Sequence, residues 1–200
     1  MPKNLLYPLV LIVLVFAAKS NAEQLIPGDG VRLTFYNISQ EITGDYFIDE
    51  NGIIQFPYIG FINTKDKDYR VIKQQVEAKY DSLYRGVELI IAPLYRISVL
   101  GEVGNPGVYF TTGVEKVLDV IAMAGGETED SDLNEVLINR NGEIIVFDAE
   151  ESFENEVNDF YLKSGDRVFV TRKWWVTGQN TTFLFTAAGL IVTIYAVLSR

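Results

Sequence analysis

The 200 residues contain no cysteine and no histidine. Without cysteine there is no disulfide framework, no thiolate zinc site and no cysteine nucleophile. The acylation site of a bacterial lipoprotein is missing for the same reason. Without histidine there is no histidine general base, no Ser-His-Asp triad and no imidazole metal ligand. Positive charge is also scarce. Lys and Arg number 17 against 27 Asp and Glu, a formal net charge of -10. No Lys/Arg cluster offsets that balance, so a nucleic-acid partner is excluded.

Hydrophobic residues make up 48% of the chain and charged residues 22%, the balance of a folded protein rather than a disordered one. Both ends are strongly apolar. Residues 1–22 read as a secretory signal peptide: Lys3, an apolar run from Leu5 to Phe16, then Ser20-Asn21-Ala22 as the cleavage signal. Cleavage removes Lys3 and Lys19 and takes the charge from -10 to -12. At the other end, residues 174–200 read as a membrane helix. Residues 183–198 are 16 uncharged residues, about 24 Å of helix against a hydrocarbon core of about 30 Å.

Gln179, Thr182, Thr186, Gly189, Thr193 and Ala196, followed by Arg200, are spaced alternately three and four apart. On a helix they form one stripe of small or polar residues. Such a stripe suits packing against copies of the same helix, as in a ring. Threonines that bond back to their own helix in a single anchor give the same spacing.

The middle of the chain alternates short strands and helices. Residues 31–37 alternate apolar and polar as a half-buried strand does. Segments 46–48 and 53–56 flank Asn51-Gly52 and predict a hairpin. Residues 68–83 predict a helix capped by Asp68, with Val71, Ile72, Val76, Tyr80 and Leu83 on one face. Residues 87–92 form a strand, and Pro93 marks a junction. Beyond it come a strand at 95–103, a turn at Asn105-Pro106-Gly107, a strand at 108–110 and a helix at 114–124 with Val117, Leu118, Ile121 and Ala122 apolar. Gly125-Gly126 stops that helix. A second hairpin joins 136–139 to 144–147 across Asn141-Gly142, and 167–171 is the last strand. The expectation is an α+β fold of two small modules, each a mixed sheet with one helix. They divide the chain as 23–93 and 94–173.

Five motifs recur in order: Leu25-Ile26-Pro27-Gly28-Asp29; the run from Asp49 to Gly60; the run from Gly101 to Tyr109; Ala122-Met123-Ala124-Gly125-Gly126; and the run from Leu162 to Val170. In this order and spacing the series resembles the bacterial outer-membrane polysaccharide export family. The first module resembles its polysaccharide export domain, and the second its soluble-ligand-binding β-grasp (SLBB) domain, so the resemblance implies two β-grasp-like modules. The resemblance implies secretion of a capsular or exopolysaccharide, ring-shaped homo-oligomers and an inner-membrane polysaccharide co-polymerase as partner. It implies a place in the cell envelope, facing the periplasm, with the outer membrane favoured over the inner. The missing lipobox cysteine and the single SLBB-like module depart from the longest members. A membrane-anchored, glycan- or partner-binding regulator of the co-polymerase is the alternative to a conduit.

No enzyme activity, cofactor or metal is expected. Gly101, Glu102, Val103, Asn105, Pro106, Gly107 and Tyr109 are the candidate ligand or subunit contacts, because a glycine-rich backbone permits close approach. Pro27, Gly28 and Asp29, repeated in part as Gly165 and Asp166, read as turns before strands. The acidic clusters 127–135 and 148–159 do not match an EF-hand and read as solvated loops. Tyr36, Tyr46, Phe56, Tyr58, Phe61, Tyr95, Tyr109 and Phe110 are the aromatic residues able to stack on sugar rings or fill the core.

Overall fold

The computed structural model describes residues 24–36, 42–86, 88–155 and 160–173. The segments read as a signal peptide and as a membrane helix lie outside these residues, as does the stripe from Gln179 to Ala196. Among the described residues no helix is long and apolar enough to cross a membrane.

The first strand, β1 (Gly30–Phe35), pairs antiparallel with β2 (Gly44–Phe47). Val31, Leu33 and Phe35 point into the core and Arg32 outward, as the alternation predicts. The predicted hairpin across Asn51-Gly52 is not formed. β3 (Ile53–Phe56) instead pairs with β4 (Gly60–Asn63) across a Pro57-Tyr58-Ile59 tip. Asn51-Gly52 does reverse the chain, with Asp49 accepting the N–H groups of Asn51 and Ile53. The two flanking segments then enter different sheets, β2 pairing with β1 and β3 with β4.

The helix α1 (Tyr69–Leu83) starts where expected: the Asp68 side chain accepts from the Arg70 N–H. Its buried row is Ile72, Val76 and Tyr80, spaced four apart. Val71 and Leu83, expected on the same face, are exposed. Val71 is turned about 100° from Ile72, and Leu83 is the last helical residue.

The strands expected at 87–92 and 95–103 are one, β5 (Leu89–Gly101). Along one edge it carries β1 at residues 89–94 and, in parallel, β9 (Arg167–Arg172) at 98–101. Along the other edge it carries β6 (Gly107–Thr111) at residues 95–99. Backbone groups of even-numbered residues face the β1/β9 edge: Ser98 donates to Asp166 and Glu102 to Val170. Pro93 is odd-numbered and lies past Tyr95, the last residue paired with β6. Its missing N–H therefore falls on an edge that no described strand pairs, and the strand runs through the proline. On that edge the Tyr69 hydroxyl of α1 donates to the Ile91 carbonyl, and burial pushes its pKa up to about 12.

The helix α2 (Val117–Met123) begins later than the expected 114, because Glu115 turns back to accept the Thr112 N–H and Asp119 accepts the Lys116 N–H. Gly125 and Gly126 end it, donating to Ala122 and Ile121. β7 (Ser131–Arg140) and β8 (Glu143–Phe147) form the predicted hairpin, with Asn141 and Gly142 both at positive φ. β7 then pairs with β9. The second acidic cluster, expected as loop, begins with a helix, α3 (Ala149–Asn155). The Asp148 carboxylate accepts the Glu151 N–H, and Glu150 and Glu151 sit at the positive end of the helix dipole.

The result is α+β. A mixed sheet runs in the order β2-β1-β5-β9-β7-β8, with β6 on β5. Two hydrophobic cores lie on one face of it. Ile91 and Tyr95 of β5 join the core around α1, and Ile97 and Val99 join the core around α2. Residues 93 and 94, where the two modules were divided, are consecutive in β5.

Candidate functional site

Two turns of the same chemistry meet at the middle of β5. Ile26-Pro27-Gly28-Asp29 precedes β1, and Lys163-Ser164-Gly165-Asp166 precedes β9. In each, the Asp N–H closes the turn onto the first residue's carbonyl, at 2.9 and 3.0 Å. In each, the Asp carboxylate accepts the first residue's N–H, at 2.8 Å. Gly28 and Gly165 take positive φ, 93° and 82°, at the third position.

Both carboxylates are buried and differently compensated. Asp166 takes a bidentate pair from Arg140, at 2.9 and 2.6 Å. Asp29 accepts the Arg96 N–H at 2.9 Å and the Ser164 hydroxyl at 2.6 and 2.7 Å. Arg96 lies between the last β5 residue paired with β1 and the first paired with β9. Its N–H is taken by Asp29, and its carbonyl accepts the Gly165 N–H at 3.0 Å. The turns thus fill the gap between two strands laid end to end. Burial pushes the Asp29 carboxyl above its ordinary 3.8, against the opposing pull of Ser164, the Arg96 and Ile26 N–H groups and the Arg96 charge. A side chain at Gly28 would meet the Arg96 guanidinium at 2.7 Å.

The glycine-rich loop after β5 is docked on its own chain. A Cβ on Gly101 would lie 2.1 Å from the Val170 carbonyl oxygen, and one on Gly104 would lie 2.8 Å from that of Gly125. Gly104 donates to the Gly126 carbonyl and Asn105 to that of Ala124. Val103 is buried. The Glu102 carboxylate accepts the Thr128 hydroxyl and lies 3.4 Å from Arg172. The Tyr109 hydroxyl donates to the Asn105 carbonyl. The close approach these glycines allow is to the end of α2 and to β9. Asn105 and Pro106 remain exposed at the apex, with Gly107 half-buried.

Among the aromatic candidates, Phe56 and Tyr95 are core, and Tyr46, Tyr109 and Phe110 are half-buried. Tyr36, Tyr58 and Phe61 are exposed. Phe110 packs against Phe47 with ring centroids 4.8 Å apart and planes inclined at 44°, joining β6 to β2.

Residues 17–92 match the model of the polysaccharide biosynthesis/export protein family, and residues 95–170 match that of the SLBB domain. The chain belongs to the polysaccharide export family. In this export protein the two matched regions abut on β5, on either side of Pro93 and Leu94. The Pro-Gly-Asp turn lies in the export region and the Ser-Gly-Asp turn in the SLBB region, so the Asp29–Ser164 bond crosses between them.

The acidic residues of 127–135 are dispersed in the export protein. Asp130 pairs with Arg172, and Asp132 caps the Asn134 N–H. Among the described residues no group of three or more acidic side chains could hold a metal ion. Arg96, Arg140 and Ser164 were not among the site residues expected from the sequence. The legible signal was the repeated Gly-Asp; what each aspartate pairs with is set by tertiary contact.

Proposed function

We propose that this export-family chain forms or completes an oligomeric envelope conduit for a secreted capsular or exopolysaccharide. The observation that carries the reading is the tandem match to the export and SLBB models over residues 17–92 and 95–170. The continuous strand β5 supports it, since two modules on one strand hold a fixed angle, as a ring subunit must.

The open face of the SLBB-region sheet supports self-association. Leu100, Phe169, Leu137 and Val146 stand in one cross-strand row over β5, β9, β7 and β8. All but Leu137 are exposed. Continuous apolar surface of this kind marks an interaction site, and a neighbouring copy would cover it. Asn105 and Pro106 are the loop positions left for contact with a neighbour or the glycan. Residues 174–200 bring the protein to a membrane, and a co-polymerase in the inner membrane supplies the chain to be exported. The mechanism is confinement rather than chemistry: a water-filled path with few tight sugar contacts lets a polymer slide. The acidic surface would repel an anionic glycan, so its carboxylates face away from the path.

The test is complementation of a deletion strain with the full chain, reading secreted polysaccharide, together with the native mass of the full-length protein in detergent. Restored secretion and a ring that Gly189→Leu and Thr186→Leu dissolve support the conduit. Restored secretion with a monomer indifferent to those changes sinks the conduit and leaves a regulator of the co-polymerase.

A further inference from the structure

Residues 51–64, which include the β3–β4 hairpin, are fourteen residues without a charged side chain. At its tip the Ile59 N–H donates to the Pro57 carbonyl at 2.7 Å, closing a three-residue turn about Tyr58. Tyr58 has φ 62°. A bulky residue at positive φ is unfavourable, and this hand of the three-residue turn is the rarer one. Glycine would adopt it freely.

Two side chains of α1 hold the tip in place. The buried Tyr80 donates its hydroxyl to the Pro57 carbonyl at 2.9 Å, and Lys79 donates to that of Ile59 at 3.1 Å. The strain is thus over-determined by the surroundings, the circumstance in which it accompanies function. What the strained geometry delivers is an aromatic ring 70% exposed to water. The fold gains little burial from that ring. Next to it opens a cleft of about 460 Å³ lined by Tyr46, Gln55, Phe56, Pro57, Tyr58 and Gly60. Gln55 is paired across the strands with Phe61, so both stand on the outward face of the hairpin.

A pyranose ring carries C–H groups on its faces and hydroxyls at its rim. An exposed aromatic face beside an amide, with no carboxylate nearby on the hairpin, matches that pattern for neutral and anionic sugars alike. We propose that Tyr58 and Gln55, held by Tyr80 and Lys79, form a pyranose-binding subsite for the exported chain. The proposal rests on the export reading and assigns one contact point to it.

The experiment uses the full-length protein in a deletion strain, with Phe61 replaced by the photo-crosslinker p-benzoylphenylalanine. Illumination during export is expected to give an adduct that stains for carbohydrate. Adding Tyr58→Phe should preserve the adduct, since stacking needs the ring and not the hydroxyl. Tyr58→Ala should reduce it several-fold. Tyr58→Gly should reduce it equally while raising the thermal midpoint, because glycine relieves the strain. Adducts to protein alone, or undiminished glycan adducts with Tyr58→Gly, would overturn the subsite. Failure of the wild-type chain to restore export overturns the export reading, and the subsite with it.

Discussion

The Ser164 hydroxyl lies 2.6 and 2.7 Å from the two carboxylate oxygens of Asp29, a residue 135 positions earlier in the chain. Each belongs to a Gly-Asp turn that opens a strand, and each strand lies on the same edge of β5. The bond closes the seam where those strands meet. Removing one partner leaves the other buried with an unmet bond, at about 1–3 kcal/mol. Ser164→Ala should therefore lower unfolding stability by about that amount. In an Asp29→Ala background the same change should cost much less, a coupling of about 1–2 kcal/mol. Urea unfolding followed by circular dichroism measures all four corners of the cycle. Equal costs in both backgrounds would mean the hydroxyl acts elsewhere.

Asp29 should also mark the protein's response to acid. Its folded-state pKa is raised by burial above the 3.8 of an ordinary aspartate. A raised pKa means the folded protein holds that proton more tightly than the unfolded chain. The stabilisation it contributes is present below 3.8 and lost as pH rises through the folded value. The stability difference between wild type and Asp29→Asn should therefore move against wild type across that window. Carbon-13 titration of the Asp29 carboxyl reads the midpoint directly, and a midpoint below 3.8 would refute the direction. Asp45 should do the opposite: its salt bridge to Arg32 holds its carboxyl below 3.8.

Asp166 solves the same burial problem with a cation. Arg140→Ala would strand a carboxylate of 1% exposure without its bidentate partner. The expected loss is about 3–5 kcal/mol. Asp166→Asn added to Arg140→Ala should recover part of it, since the uncompensated charge is gone. A double variant no more stable than Arg140→Ala would show that the lost packing of Arg140 on Phe160, 4.6 Å from the ring centroid, dominates instead.

The local features of the fold were legible because local chemistry dictates them. Asp68 caps α1, Asn141-Gly142 makes a two-residue hairpin and Gly125-Gly126 ends α2, each through bonds within a few residues. What was not legible depends on partners far away in the chain. Pro93 reads as a break, yet it falls on an edge where no N–H is required. Asn51-Gly52 reads as a hairpin, yet the segments it joins take other partners, β1 and β4. The loop at 101–107 reads as a candidate ligand or subunit contact, and the sequence does not reveal that Gly101 and Gly104 fit against Val170 and Gly125. The repeated Gly-Asp was visible, but that the two turns touch depends on β1 and β9 sharing an edge.

Gly101 gives the fit of that loop against β9 a direct test. At φ 87° its Cβ would meet backbone oxygen at 2.1 Å, and a backbone cannot swing aside as a side chain can. Gly142, at φ 89°, has nothing within 4 Å. Gly142→Ala should cost about 1 kcal/mol from dihedral strain alone. Gly101→Ala should cost distinctly more, since β5 and β9 must part as well. Similar thermal midpoints for the two variants would mean the strands separate with little resistance there.

Adjacent residues of β9 separate folding from assembly. Val168 faces the core and is fully buried, while Phe169 faces outward in the row with Leu100, Leu137 and Val146 and is 45% exposed. The alternation of a strand places them on opposite faces of one sheet. Val168→Glu buries an unpaired carboxylate and should unfold the SLBB region. Phe169→Glu puts the same charge where an isolated subunit meets water, so circular dichroism and the thermal midpoint of dissociated protein should hardly change. If a neighbouring copy covers the row, that glutamate is desolvated only in the assembly, and the native mass should fall to that of a monomer. An assembly that tolerates Phe169→Glu would place the subunit contact on another face. The apolar row would then need a different occupant, because no described residue of the single chain covers Leu100, Phe169 or Val146.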